Sequence, residues 1–382
     1  MSILKLAKAI VLVLLATGLA QFGHASQIVV GQVTPLSGPE ASQGRAYAAG
    51  MQLVFNAINN SGGVNGHTFA LVSKDDAGRP EATLTLTRQI LSDDRPMVFA
   101  GFVGTQGVAE IVSSGILQKE KVAMVGYRSA EADSDAPLLY NVRASFGDEL
   151  NKITEHLGTI GVNSLAVLHE AGPRAAKQIA AIEEAARKHN SNVVARASYE
   201  AGTTRVSDAV DTLVKARPQA ILLVTTGAAG ARFIEQYRAN GGSAQIFVYS
   251  GADMERVAKQ ISEERLSFVS TVMRGVAIAQ VVPNPYDNSI LAKELNRARL
   301  KDGAVKLPVS YVMMEGYIAA KVIVEAVRRQ GQRPTRDGMA AALDGINYLN
   351  LGGYAVGFKP GVRNGSKFVE LTIISDTGKV RQ

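Results

Sequence analysis

Residues 28–74 read IVVGQVTPLSGPEASQGRAYAAGMQLVFNAINNSGGVNGHTFALVSK, and the order of patterns inside them decides the fold class. The run Ile28–Val33 is apolar and rich in β-branched side chains, which suits a strand covered on both faces. Over Ala46–Asn59 the period changes. Ala49, Leu53, Val54, Ala57 and Ile58 recur at the spacing of one helix face. The cluster from Asn60 to Gly66 (NSGGVNG) concentrates turn formers and must end that helix. His67–Lys74 returns to a strand pattern, so the segment predicts one β–α–β unit.

The same alternation continues outward. Pro80–Asp93 and Val108–Lys119 read as helices, Met97–Ala100 and Val122–Val125 as strands. It restarts after Arg143, with helices at Glu149–Ile160, Arg174–His189, Val206–Ala216 and Gly230–Asn240 between strands at Ser164–Leu168, Val193–Tyr199, Ala220–Val224 and Gln245–Tyr249. Strands alternating with helices predict parallel sheets covered on both faces, here in two doubly wound α/β lobes. Beyond these, Leu291–Arg299, Val309–Gln330 and Thr335–Leu343 read as helices and Phe368–Ile374 as a strand. That is too little for a third core. These elements must pack on the two lobes, so the chain crosses between them more than once and leaves a hinged cleft.

The N-terminal segment 1–25 predicts an export signal: Lys5 and Lys8, the uncharged apolar run Ala9–Ala20, then Gly23 and Ala25 as small residues before a cut. The run is well short of the ~20 residues that span a bilayer. The chain has no cysteine, which excludes disulfides, thiolate metal sites, a cysteine nucleophile and a lipid-modified cysteine. An exported chain with neither anchor nor disulfide suits a periplasm. The 41 basic against 34 acidic residues give +7, or +5 once the two signal lysines are removed. This excess is dispersed, which argues against a nucleic-acid surface.

Catalytic patterns are missing. The sequence has no Gly-x-Ser-x-Gly, no His-Glu-x-x-His and no phosphate-binding P-loop, and its five histidines are scattered. His169-Glu170 reads as a solvated pair at a strand end. No metal or cofactor is expected. Gly101–Gly107 (GFVGTQG) is glycine-rich without the dinucleotide spacing. It offers backbone N–H groups and a hydroxyl where a strand opens into a helix, a place that favours anions. The same glycines would also serve a tight strand–helix turn.

These stretches resemble a known family. Gly31–Pro39 followed by Gly44, Ile58–Gly66, Lys74-Asp75-Asp76, Gly101–Thr105, Gln280–Tyr286, Glu315–Ala320 and Leu351–Tyr354 are together similar to the type I periplasmic binding proteins of ABC transporters, the Leu/Ile/Val-binding group. The resemblance implies two lobes joined by three crossovers, a ligand between them and no catalysis. It divides the chain into a first lobe of 26–145 plus about 277–348 and a second of 146–276 plus about 349–382. It implies that the first lobe grips a ligand carboxylate through Gly104, Thr105, Tyr127, Arg128 and Ser129, with Gln43 nearby. Thr226, Ser250 and Asp253 would face it from the second lobe. Gln43 stands where amino-acid binders often carry an aromatic, and Asp253 only nearly matches the acid that holds a ligand ammonium. An amino acid and an organic or aromatic carboxylate are therefore both admissible ligands. The expected partner is the membrane permease of an ABC uptake system. A sensor of the same fold, signalling to a receptor or kinase, is the alternative.

Overall fold

The computed structural model describes residues 26–130, 136–265, 269–359 and 361–381. The expected signal segment lies outside them. In the first lobe, β1 (Gln27–Thr34), β2 (Thr68–Asp75), β3 (Val98–Val103), β4 (Ala123–Arg128) and β5 (Leu139–Tyr140) form one parallel sheet in the order β2-β1-β3-β4-β5. The turn cluster ends α1 (Ala41–Asn60) as expected, with the N–H groups of Ser61, Gly62 and Gly63 closing on Ile58 and Asn59 carbonyls. Helices α2 (Pro80–Asp93), α3 (Thr105–Ser113) and α4 (Ile116–Lys119) follow. The single helix expected over 108–119 is thus broken at Ser114-Gly115, where Gly115 takes a positive φ of 64°.

The second sheet is larger. It contains β6 (Ser164–Glu170), β7 (Asn192–Tyr199), β8 (Ala220–Val224), β9 (Gln245–Val248), β10 (Ala277–Gln280), β11 (Glu370–Ile374) and β12 (Val380–Arg381). Strands β6 to β10 pair in parallel, and β11 and β12 add antiparallel at one edge. Its helices are α5 (Phe146–Thr159), α6 (Ala175–Lys188), α7 (Ser207–Ala216), α8 (Gly227–Ala239) and α9 (Met254–Glu264). The molecule is therefore α/β with two doubly wound lobes. Apolar clusters cover both faces of each sheet.

The lobe limits differ from those implied by resemblance. Ala277–Gln280 pairs with β9 and β11, so it belongs to the second sheet rather than to the returning first-lobe segment. Val282 opens that return. Helices α10 (Ile290–Asp302), α11 (Tyr311–Gln330) and α12 (Arg336–Asp344) then complete the first lobe. Leu351, Tyr354, Val356 and Phe358 bury in the first core too, and the last crossing comes after Phe358. Short polar linkers and two-residue strands carry no period, which hid these limits in the sequence.

Helices α1 and α11 touch backbone to backbone. A Cβ on Gly50 would lie 2.0 Å from the Met313 carbonyl oxygen, and one on Gly316 would lie 2.1 Å from that of Tyr47. Only glycine permits this approach, which sets Glu315 of α11 beneath the C-terminal end of β4.

Candidate functional site

The ends of the strands of both sheets converge on one cavity of about 510 Å3. From the first lobe come Pro35, Glu40, Gln43, Asp76, Val103 to Gly107, Arg128 and Ala130. From the second come Glu170, Arg174, Gln178, Thr225, Thr226, Tyr249 and Gly251. In doubly wound sheets this is where ligands sit, because the loops diverge and helix N-termini point inward. Gly104 enters α3 with φ 119°, and no side chain caps the helix. Its first N–H groups are therefore left to the cavity. Thr105 Oγ1 accepts from the Ala130 N–H at 2.9 Å, which ties the loop after β3 to the loop after β4 and leaves the hydroxyl hydrogen to donate. Opposite, Thr226 caps α8 by accepting from Ala229 N–H, and its own N–H donates to Tyr199 Oη at 3.0 Å.

The lobes are closed on each other. Gln43 Nε2 donates to the Gly251 carbonyl at 3.1 Å, Gln178 Nε2 to the Ala130 carbonyl at 3.3 Å, and Arg128 Nη2 to the Ser250 carbonyl at 2.7 Å. Behind the cavity runs a buried ion network. Arg128 pairs with Glu315 and donates through Nε to Gln43 Oε1 at 2.8 Å. Arg143 pairs with Glu149 at 2.5 Å and with Glu315 at 3.4 Å, and it also donates to Ser250 Oγ. Glu149 accepts from Ser250 N–H at 2.7 Å and from its hydroxyl at 2.8 Å. Burial works against the Arg143 charge, yet Glu315 and Glu149 outweigh it and hold the guanidinium protonated. Two basic and two acidic side chains meet here, each no more than 3% exposed, and burial raises the Glu149 carboxyl against the pull of Arg143 and the Ser250 hydrogen bonds.

Of the expected ligand residues, Gly104, Thr105, Gln43, Arg128 and Thr226 line the cavity. Arg128 does so with its guanidinium buried and already engaged by Glu315, Gln43 and Ser250. Tyr127 is 5% exposed in the apolar cluster that also holds Val33 and Phe102, so its side chain fills the lobe and not the cleft. Ser129 lies between two lining residues and does not line the cavity itself. Ser250 belongs to the ion network. Asp253 takes a left-handed φ of 49° and opens onto a neighbouring cavity of about 500 Å3 that shares Glu40 and Gln43. Burial, reinforced by Glu255, pushes its carboxyl up to about 7 against Arg128 and Arg256. His169, expected as solvated, is 7% exposed on β6, with Nδ1 2.9 Å from the Glu170 carbonyl oxygen.

The sequence reading missed Glu40, Asp76, Arg79, Glu170 and Tyr249. Each follows an apolar strand run directly or within one loop, and that position is the signal that could have found them. Glu40 is raised from the usual carboxylate range by burial, against the Gln43 hydrogen bond and Arg128, with Glu170 across the cleft adding a smaller push upward. Among the described residues no cluster of three or more His, Asp or Glu is placed to hold a metal.

With this geometry in view, comparison with known proteins settles the family. The sequence pattern described as "Periplasmic binding protein" matches residues 27–366. The chain belongs to the periplasmic binding protein family. A relative from Brucella melitensis, named Leu/Ile/Val-binding protein homolog 3, is 27% identical over 85% of each chain. The crystal structure of a substrate-binding periplasmic protein from Ralstonia solanacearum superposes with a TM-score of 0.86 at 35% identity, covering 93% of this chain and 99% of that one. A solute-binding protein of an ABC transporter from R. palustris, solved in complex with benzoate, shares the fold at TM-score 0.78 and 15% identity, covering 93% and 95%. These relatives are binding proteins and not enzymes, and the chain is a solute-binding component. Among the described residues no helix of this periplasmic binding protein is long and apolar enough to cross a membrane.

Proposed function

We propose that the chain is the periplasmic solute-binding component of an ABC uptake system, and that its lobes shut by a hinge on a small amino acid. The observation that carries this reading is the cavity itself. It is lined from both lobes, and the hydrogen bonds of Gln43, Gln178 and Arg128 cross it. The ligand carboxylate meets the first turn of α3 and the Thr105 hydroxyl, which suit an anion. Arg128 is occupied by Glu315, so the anion grip does not depend on it.

Glu40 and Glu170 supply the second half of the argument. They line the cavity from opposite lobes, Glu170 adds to the upward shift of Glu40, and a ligand ammonium between them would relieve that like-charge effect. An amino acid offers both charges, whereas an aromatic acid without an ammonium would leave the acids opposed. The name of the Brucella relative agrees with this choice. The closed form would then be what a permease recognises.

Thermal-shift screening tests the reading, since a ligand that binds the folded form raises Tm. Amino acids should raise it, and the matching acids lacking the amino group should not. A larger shift from benzoate-type acids than from any amino acid would overturn the ligand class.

A further inference from the structure

Beyond the cavity, a second polar contact joins the lobes. Glu255 stands in the first turn of α9, on the second lobe, and is 7% exposed. Facing it from the first-lobe side are Tyr286, on the crossing segment, and Tyr311, the first residue of α11. Their rings meet edge to face at 6.3 Å. Tyr286 Oη lies within hydrogen-bond reach of two acceptors, Glu255 Oε1 and the Val309 carbonyl oxygen at 2.9 Å. A phenol has one hydrogen and cannot donate fully to both. A proton on Glu255 resolves this: the carboxyl O–H donates to Tyr286 Oη, and Tyr286 donates to Val309. Tyr311 Oη, moreover, is buried without a hydrogen-bond partner among the described residues, and Glu255 Oε2 has no side-chain partner there. An ionised carboxylate would find that setting costly.

We propose that Glu255 is a proton-operated strut between the lobes: the closed form holds its carboxyl group protonated, and raising the pH through neutrality favours opening. The inference rests on the hinge-closing reading of the cleft and adds its regulation. Burial raises the Glu255 carboxyl to about 7, against the Tyr286 hydrogen bond, Lys259 and the Tyr311 backbone N–H. The charged and titratable groups around it are Asp253 just before α9, on which Arg128 and Glu40 of the first lobe act, Arg256 and Lys259 on α9, Tyr286 and Asp287 on the crossing segment, Tyr311 on α11, and Glu370 of β11, which acts on Tyr311. Burial lifts both tyrosines well above their ordinary range, so neither phenol ionises near neutral pH. Asp253 shifts in the same direction as Glu255.

The sign follows from linkage. In the open form Glu255 meets water and returns toward its ordinary value of 4.5. The closed form then binds the proton more tightly. Its extra stability is complete below that ordinary value and is lost as the pH climbs to about 7, above which it stays flat. Within that window the closed-to-open ratio falls by up to about tenfold per pH unit.

The chain has no cysteine, so Glu110→Cys on α3 and Glu184→Cys on α6 place one dye on each lobe. Energy transfer between them in the full chain, without solute, should fall from about pH 5 to a plateau above about pH 7. Glu255→Gln keeps an N–H donor for Tyr286 and should stay closed across the range, apart from a small residue that Asp253→Asn removes. Carboxyl 13C signals of the dye-free chain should include a Glu titrating near neutrality that is absent in Glu255→Gln. This second measurement does not depend on how the dye-labelled variants fold. Energy transfer that is constant with pH, or unchanged in its titration by Glu255→Gln, overturns the strut. Addition of the common L-amino acids as a mixture separates the two ideas. If that closes the lobes while pH does not, the strut alone fails; if neither moves them, the hinge reading fails as well.

Discussion

The interface between the lobes has two sides built on opposite principles. The inner seam, with Arg128, Arg143, Glu149, Glu315 and Ser250, is dry and balanced, and each charge there has a partner inside the protein. The cavity side, with Glu40, Glu170, Thr105 and the uncapped start of α3, leaves donors and acceptors open toward a shared space. Completed bonds can hold a geometry but cannot select a guest. Unfinished ones can select a guest but hold the lobes only weakly until it arrives. The contrast divides labour: the seam fixes how the lobes meet, and the cavity decides what makes them stay.

Changes in the seam should therefore act on stability and changes in the cavity on affinity. The largest effect is expected at Glu315, which answers both Arg128 and Arg143. Glu315→Gln leaves two buried guanidinium groups facing one carboxylate. Losing one partner of a buried pair costs about 3–5 kcal/mol, which chemical denaturation would read as a lower midpoint at unchanged slope. A loss below about 1 kcal/mol would place the seam with ordinary surface pairs. Ser250→Ala comes next. It removes the hydroxyl that joins Arg143 to Glu149 but leaves the Ser250 N–H and carbonyl in place. About 1–3 kcal/mol of stability should go with it, with ligand affinity changed much less.

The same contrast explains what the sequence disclosed. The lobes were legible because β6, β8 and α11 bury whole faces and write their period into the chain. Gly104 and Thr105 stand where an apolar strand stops and the resemblance pointed to Thr226, and all three line the cavity. The seam was not legible. Arg143 and Glu149 sit in a linker and a helix start, Glu315 in the second turn of a largely apolar helix, and Ser250 in a short turn. Nothing in their spacing says that they meet. Tyr127 and Arg128 show the limit from the other side. Adjacent on β4, they point to opposite faces of the strand, and alternation alone does not tell which face becomes core and which becomes cleft. The lobe limit near 277 failed for a related reason, since a four-residue strand before a linker leaves too short a pattern to assign to a sheet.

Smaller effects belong to the cavity. Thr105→Ala removes the donor hydroxyl and the acceptor for Ala130 N–H. A single hydrogen bond is worth about 0.5–1.5 kcal/mol net, so calorimetry with the best amino acid should show affinity weakened about threefold to tenfold. Thr105→Ser should restore it. Ser129→Ala, one residue from the cavity lining, should change affinity by less than the Thr105→Ala variant does. A larger effect from Ser129 would mean that the loop after β4 rearranges when the guest is held, and the division between seam and cavity would then have to be redrawn around it. Arg79→Ala should matter least. The side chain is exposed at the cavity margin, where solvent screens its charge. A change near twofold that vanishes in added salt is expected. A salt-resistant loss as large as that of Thr105→Ala would show that the guest reaches Arg79 directly and that the closed cleft is drier at its rim than the exposure of this residue implies.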